Sequence, residues 1–113
     1  MLLPMFDEST LLRQLGGKRD LARKVVRSAI GDMPTYFLLL EQAVAAAAWQ
    51  DVESITHKLT ALVAQVGGLR LSARLKEIND ALRNGETGDL IAWTQLQNDY
   101  QGLEDSLRNW LSQ

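Results

Sequence analysis

Asp51-Val-Glu-Ser-Ile-Thr-His57-Lys-Leu-Thr-Ala-Leu-Val-Ala-Gln-Val66-Gly67-Gly68 sets the pattern for the whole chain. Val52, Ile55, Leu59, Leu62 and Val66 recur at alternating steps of three and four. That is the buried seam of a helix in a bundle, not the two-residue period of a strand. The glycine pair ends the segment, because glycine readily takes the left-handed backbone that closes a helix. At about 100° per residue, His57 falls roughly 180° from the centre of the seam. It is the only histidine in the chain. A histidine held on the outer face of a helix is available for chemistry with something outside the molecule.

The same period extends in both directions. Asp7 is placed to cap a short first helix, with Phe6 and Leu11 as a hydrophobic staple and Gly16-Gly17 as its end. A second segment, from about Lys18 to Ala48, carries Val26, Ile30, Met33, Phe37, Leu40, Val44 and Ala47 on one stripe. Pro34 lies inside it, yet the stripe keeps its phase across the proline, which predicts one long bent helix and not two. The helix bearing His57 is expected over about Gln50 to Val66. Leu71, Leu75, Ile78 and Leu82 give the stripe of the next, over Leu69 to Arg83, with Asn84-Gly85 as its stop. A last helix is expected from near Asp89, with Trp93, Leu96, Tyr100, Leu103, Leu107 and Trp110 on one face. No stretch alternates with period two, so strands are not expected. Short connections make sequential helices antiparallel neighbours. The expected fold is all-α, an antiparallel up-down four-helix bundle with a short N-terminal helix, in a single domain over 1–113.

Composition narrows the function. A chain of 113 residues can bury roughly two thirds of its unfolded surface in one core. With 46% hydrophobic and 23% charged residues it has the composition of a soluble globular domain and not of a disordered one. A net charge of −2 argues against nucleic acid as the partner, which calls for a basic face. The absence of cysteine excludes disulfides, thiolate metal ligands and a thiol nucleophile. The longest apolar run, Ala43 to Trp49, falls far short of the ~20 residues of a membrane span. The stretch from Met1 to Phe6 lacks the basic start of a signal peptide. One histidine, no cysteine and no Glu-x-x-His pairs argue against a histidine-rich zinc or di-iron bundle site. Glu53, four residues before His57, reads as an incidental surface neighbour worth a few tenths of a kcal/mol. Lys18, Arg19, Arg23, Lys24 and Arg27 read as a solvated helix face.

The surroundings of His57 are less ordinary. Thr60, Ala61 and Ala64 lie near it at helical spacing and are small and uncharged, where a solvated helix usually carries Lys and Glu. Such a surface lets a partner's backbone approach the imidazole closely. Across the Gly-Gly turn, Ser72, Lys76, Asn79 and Arg83 form a polar line that can border the same face in an antiparallel hairpin.

These residues resemble the histidine-containing phosphotransfer (HPt) domain of bacterial two-component phosphorelays. The family motif is a helix reading H-x-L-K-G, a glycine ten residues after the histidine, then a second helix. The chain matches it at His57, Leu59 and Gly67, and the helix Leu69 to Arg83 follows. Leu3-Pro-Met-Phe-Asp7 followed by Leu11-Leu12-Arg-Gln-Leu-Gly-Gly17 is similar to the lead-in of such modules at the C-terminal ends of hybrid sensor kinases. The chain departs from the motif in two places: the family lysine is Thr60, and its glycine is Ala61.

The resemblance implies a carrier that accepts a phosphoryl group on His57 Nε2 and donates it, exchanging with receiver-domain aspartates. Neutral imidazole, whose unperturbed pKa is about 6.5, is a competent nucleophile for this step. The chain would have no autonomous ATP-dependent kinase activity and no cofactor, the Mg²⁺ belonging to the partner receiver. Thr60, Ala61, Asn79, Lys58 and Arg83 would support the site. Asn79 would stand where relatives place a glutamine on the imidazole. Ala64 and Lys76 would contact the receiver of a hybrid sensor kinase or response regulator. The implied location is cytoplasmic, as the C-terminal domain of a membrane-bound sensor kinase. The rival reading is a non-catalytic helical adaptor that binds receiver or kinase domains without being phosphorylated.

Overall fold

Apolar residues spaced for one helical face give, among the described residues, five helices and no strand. The structure is a computed structural model that describes residues 2–86 and 93–113. The helices are α1 (Glu8–Gln14), α2 (Arg19–Ala45), α3 (Trp49–Gln65), α4 (Leu69–Arg83) and α5 (Trp93–Leu111). The helix start expected near Asp89 lies outside the described residues. Pro34 is contained within α2, which continues as one helix through it.

Helix ends follow one local rule. After α1, α3 and α4 the chain turns through a glycine of positive φ, Gly16 (64°), Gly67 (80°) and Gly85 (82°). Each turn carries the paired bonds that satisfy the last carbonyls. After α3, Gly67 N–H donates to Ala64 O and Gly68 N–H to Val63 O, each at 3.0 Å. The end of α2 uses the same bonds without a glycine. Ala47 N–H donates to Val44 O at 3.0 Å and Ala48 N–H to Ala43 O at 2.9 Å, while Ala47 sits at φ 52°. The helix therefore stops at Ala45, not Ala48, and Ala47 is exposed and off the stripe. Asp7 is the N-cap residue of α1, but its carboxylate accepts from the Thr10 hydroxyl and not from a backbone N–H. Phe6 packs edge-on to Trp110, with ring centroids 6.3 Å apart.

The buried faces are those of amphipathic helices, with one rotation. In α2, Ala22, Val26, Ala29, Met33, Phe37, Leu40 and Ala43 are buried. In α3 the fully buried set is Val52, Thr56, Leu59 and Val63, continued by Val66, while Ile55 and Leu62 are half-buried against it. The seam is thus turned toward Thr56 and Val63, and His57 lies about 140° from its centre, at about 100° per residue. In α5, Asp99 joins Leu96, Leu103, Leu107 and Trp110 in the buried face, and Trp93 and Tyr100 are half-buried. Arg74 of α4 holds Asp99 through its Nε at 2.5 Å, so the buried carboxylate is paired.

Contacts close a ring: α2 touches α3, α3 touches α4, α4 touches α5, and α5 touches α2. The α3–α4 contact is the most extensive. The N-terminal segment is tied across the α3–α4 turn and α5. Asp7 N–H donates to Gly67 O at 2.8 Å, and Arg70 N–H donates to Pro4 O at 3.0 Å. Arg70 Nε–H donates to Leu3 O at 2.8 Å. Trp110 Nε1–H donates to Glu8 Oε2 at 3.0 Å, and Arg19 pairs with Glu8 Oε1 at 2.8 Å. A side chain at Gly67 would strike the Asp7 carbonyl oxygen, and one at Gly68 would meet Val63 at 2.7 Å and Leu103 at 2.6 Å. No described helix is long and apolar enough to cross a membrane.

Candidate functional site

His57 is exposed on α3, and two shallow depressions meet at its ring. One is lined by Gln50, Glu53, Ser54, Lys58 and Arg83 together with His57. The other runs along Thr60, Ala61 and Ala64 of α3 and Lys76, Asn79, Asp80 and Arg83 of α4. The tight turn at Gly67-Gly68 brings α4 into contact with α3, and residues some twenty positions apart border one surface. Every residue expected to serve the site lies in one of these depressions, and Arg83 borders both. Ser72 does not; its hydroxyl donates to Leu69 O at 3.3 Å within α4.

The apolar side of the site is small and open. Ala61 is exposed, and Ala64 and Thr60 are half-buried. The Thr60 hydroxyl donates to Thr56 O at 2.6 Å, so its proton is committed to its own helix and is not aimed at His57. Lys58 and Lys76 are exposed, and neither has an ion pair among the described residues.

Asn79 overturns the role that the resemblance implied for it. It is only 5% exposed, and its Nδ2 donates to Glu53 O at 2.7 Å and to Thr56 Oγ1 at 3.0 Å. Thr56 Oγ1 in turn donates to Glu53 O at 3.0 Å. In an α-helix the Glu53 carbonyl is the acceptor for the His57 N–H. Asn79 therefore grips the helical turn from which His57 projects and makes no hydrogen bond to the imidazole. The shorter amide reaches the backbone and a buried hydroxyl instead of the ring.

Two participants escape the sequence reading. Thr56 is a buried hydroxyl on the seam, where a polar residue gave no signal of burial. Glu53 has a partner other than His57: its Oε1 accepts from Arg83 Nε at 3.2 Å across the helix pair. The i to i+4 spacing of Glu53 and His57 was visible; the arginine from another helix was not. Asp80 also borders the site, one turn after Lys76. Among the described residues no three His, Asp or Glu side chains come together as metal ligands. Comparison with protein-family models, with curated proteins and with solved structures finds no match.

Proposed function

We propose that this chain is a histidine phosphotransfer domain, carrying a phosphoryl group on His57 between receiver-domain aspartates of a two-component phosphorelay. The observation that carries the reading is the exposed His57, set beside the small surface of Ala61 and Ala64 and bordered by Lys58, Lys76 and Arg83. An open small-residue surface suits a partner that must bring a phosphorylated aspartate to the ring and then leave. Such transient contacts bury comparatively little area. In the same reading, α2 to α5 form an antiparallel up-down bundle with α1 against it. Its support is the ring of helix contacts and the short connections 46–48 and 66–68.

The transfer step balances without a cofactor on this chain. The lone pair of a neutral His57 nitrogen attacks phosphorus and the N–P bond forms. The P–O bond to the aspartate breaks, and the carboxylate leaves with its electron pair. The ring carries a positive charge until the proton on its other nitrogen passes to solvent. The receiver's own Mg²⁺ offsets charge on the moving group. Lys58, Lys76 and Arg83 are the cations this chain brings to it.

The committed Thr60 proton and the buried Asn79 amide keep the adaptor reading in view, since neither reaches the ring. One experiment separates the two. Incubation with a phosphorylated receiver should place acid-labile, base-stable phosphate on the chain, and His57→Gln should abolish it. Because the side chain is exposed, the variant should melt within about 0.5 kcal/mol of the parent. Receiver binding without any label, or label retained in His57→Gln, would refute the carrier.

A further inference from the structure

Arg83 spans from α4 to α3 and borders both depressions that meet at His57, yet its Nε–H is donated to Glu53. Glu53 lies one helical turn before His57, so its carboxylate faces the same region of α3 as the imidazole. Both members of the pair are substantially exposed, at 55% for Arg83 and 38% for Glu53. Exposed ion pairs contribute little to stability and are readily exchanged for a better partner.

A phosphoryl group on His57 would be that better partner. It carries about two negative charges and several strong acceptor oxygens, against the single charge of a carboxylate. The guanidinium fork suits such a group, and charge-assisted hydrogen bonds are the strong ones. Glu53 is then a like charge at i−4 and disfavours the modified ring. Lys58 and Lys76 add positive charge and Asp80 negative charge around the same surface, none of them in an ion pair among the described residues.

We propose that Glu53 and Arg83 form a latch: Arg83 binds the Glu53 carboxylate while His57 is unmodified and transfers to the phosphoryl group once His57 carries one. Glu53 thereby limits how far the phosphorylated state accumulates, and Arg83 supports it. The inference rests on His57 being the phosphoacceptor proposed above. The fold does not depend on the latch, because Asn79 holds the Glu53 main-chain carbonyl and not its carboxylate.

Phosphoramidate tests the latch without any receiver. Its P–N bond breaks, a new N–P bond forms to the imidazole, and ammonia leaves. The full chain, Glu53→Gln and Arg83→Gln are brought to equilibrium at fixed phosphoramidate and ammonia, and the phosphohistidine fraction is read by phosphorus NMR. The ratio of modified to unmodified His57 should rise about two- to threefold in Glu53→Gln, from loss of one like charge a turn away. It should fall about tenfold in Arg83→Gln, from loss of a charge-assisted hydrogen bond. In the parent, the Arg83 Nε–H resonance should move on phosphorylation, and in His57→Gln it should stay fixed. An unmoved Arg83 signal with equal ratios in all three proteins overturns the latch. Phosphoramidate results as expected, with no transfer from any phosphorylated receiver, would support the latch and defeat the carrier function.

Discussion

Removing the Asn79 side chain takes away two hydrogen bonds at a site that is 5% exposed. Asn79→Ala should therefore destabilise the fold by about 1–3 kcal/mol, the range for stripping a partner from buried polar groups. If Asn79 acted on the imidazole, the loss would fall on the phosphorylation rate and leave stability nearly intact. Denaturant unfolding alongside phosphate uptake by the folded fraction distinguishes the two, and an unchanged unfolding midpoint would contradict the hydrogen bonding described here. The importance of residue 79 was legible in its place on the polar line of α4. Its partner was not, because a one-carbon difference in side-chain length decides whether an amide reaches the ring or stops at the backbone.

At the scale of the element, α2 ends in a left-handed residue that is not glycine. Ala47 holds φ 52° to make the same paired bonds that Gly67 makes after α3. A left-handed conformation costs a residue with Cβ about 1–2 kcal/mol, and glycine gives back about 0.4–1 kcal/mol through the freedom of its unfolded chain. Ala47→Gly should stabilise the protein by about 0.5–1 kcal/mol as the balance of those terms. Gly67→Ala should do the reverse and by more, since it adds the clash with the Asp7 carbonyl to the same backbone strain. The two unfolding midpoints, moving in opposite directions, are the check. A destabilised Ala47→Gly would mean that α2 does not end in the paired-bond turn. The helix stops at Gly16, Gly67 and Gly85 could be read from composition, whereas the one at Ala47 could not, because nothing in a run of alanines marks where it must turn.

At the scale of the molecule, Tyr100 joins α5 to α2. Its ring stacks on Phe37 with centroids 4.1 Å apart and planes within 9°. Burial, and then the neighbouring Glu104 carboxylate, push its phenol up to about 12. The folded chain therefore holds this proton more tightly than the unfolded chain, where tyrosine titrates near about 10. The stabilisation is fully present below about pH 10 and is lost as pH rises toward about 12. Unfolding measured across that interval should show stability falling with pH, and Tyr100→Phe should flatten the fall. A slope unchanged in Tyr100→Phe would assign it to other groups.

Local pattern was enough for the helices, because burying an amphipathic stripe is a property of consecutive residues. The spacing of Leu71, Leu75 and Ile78, or of Val26, Met33, Phe37 and Leu40, leaves little choice of state or face. It was also enough to put the only histidine outward and small residues beside it. In α3 two seams were equally regular in sequence, Val52-Ile55-Leu59-Leu62-Val66 and Val52-Thr56-Leu59-Val63-Val66. Tertiary packing chose the second, since Asn79 of α4 supplies the partner without which a buried Thr56 hydroxyl would be costly. The same packing brought Arg83 to Glu53 and tied the N-terminal segment over Gly67. Those contacts join residues far apart in the chain, and no local period records them.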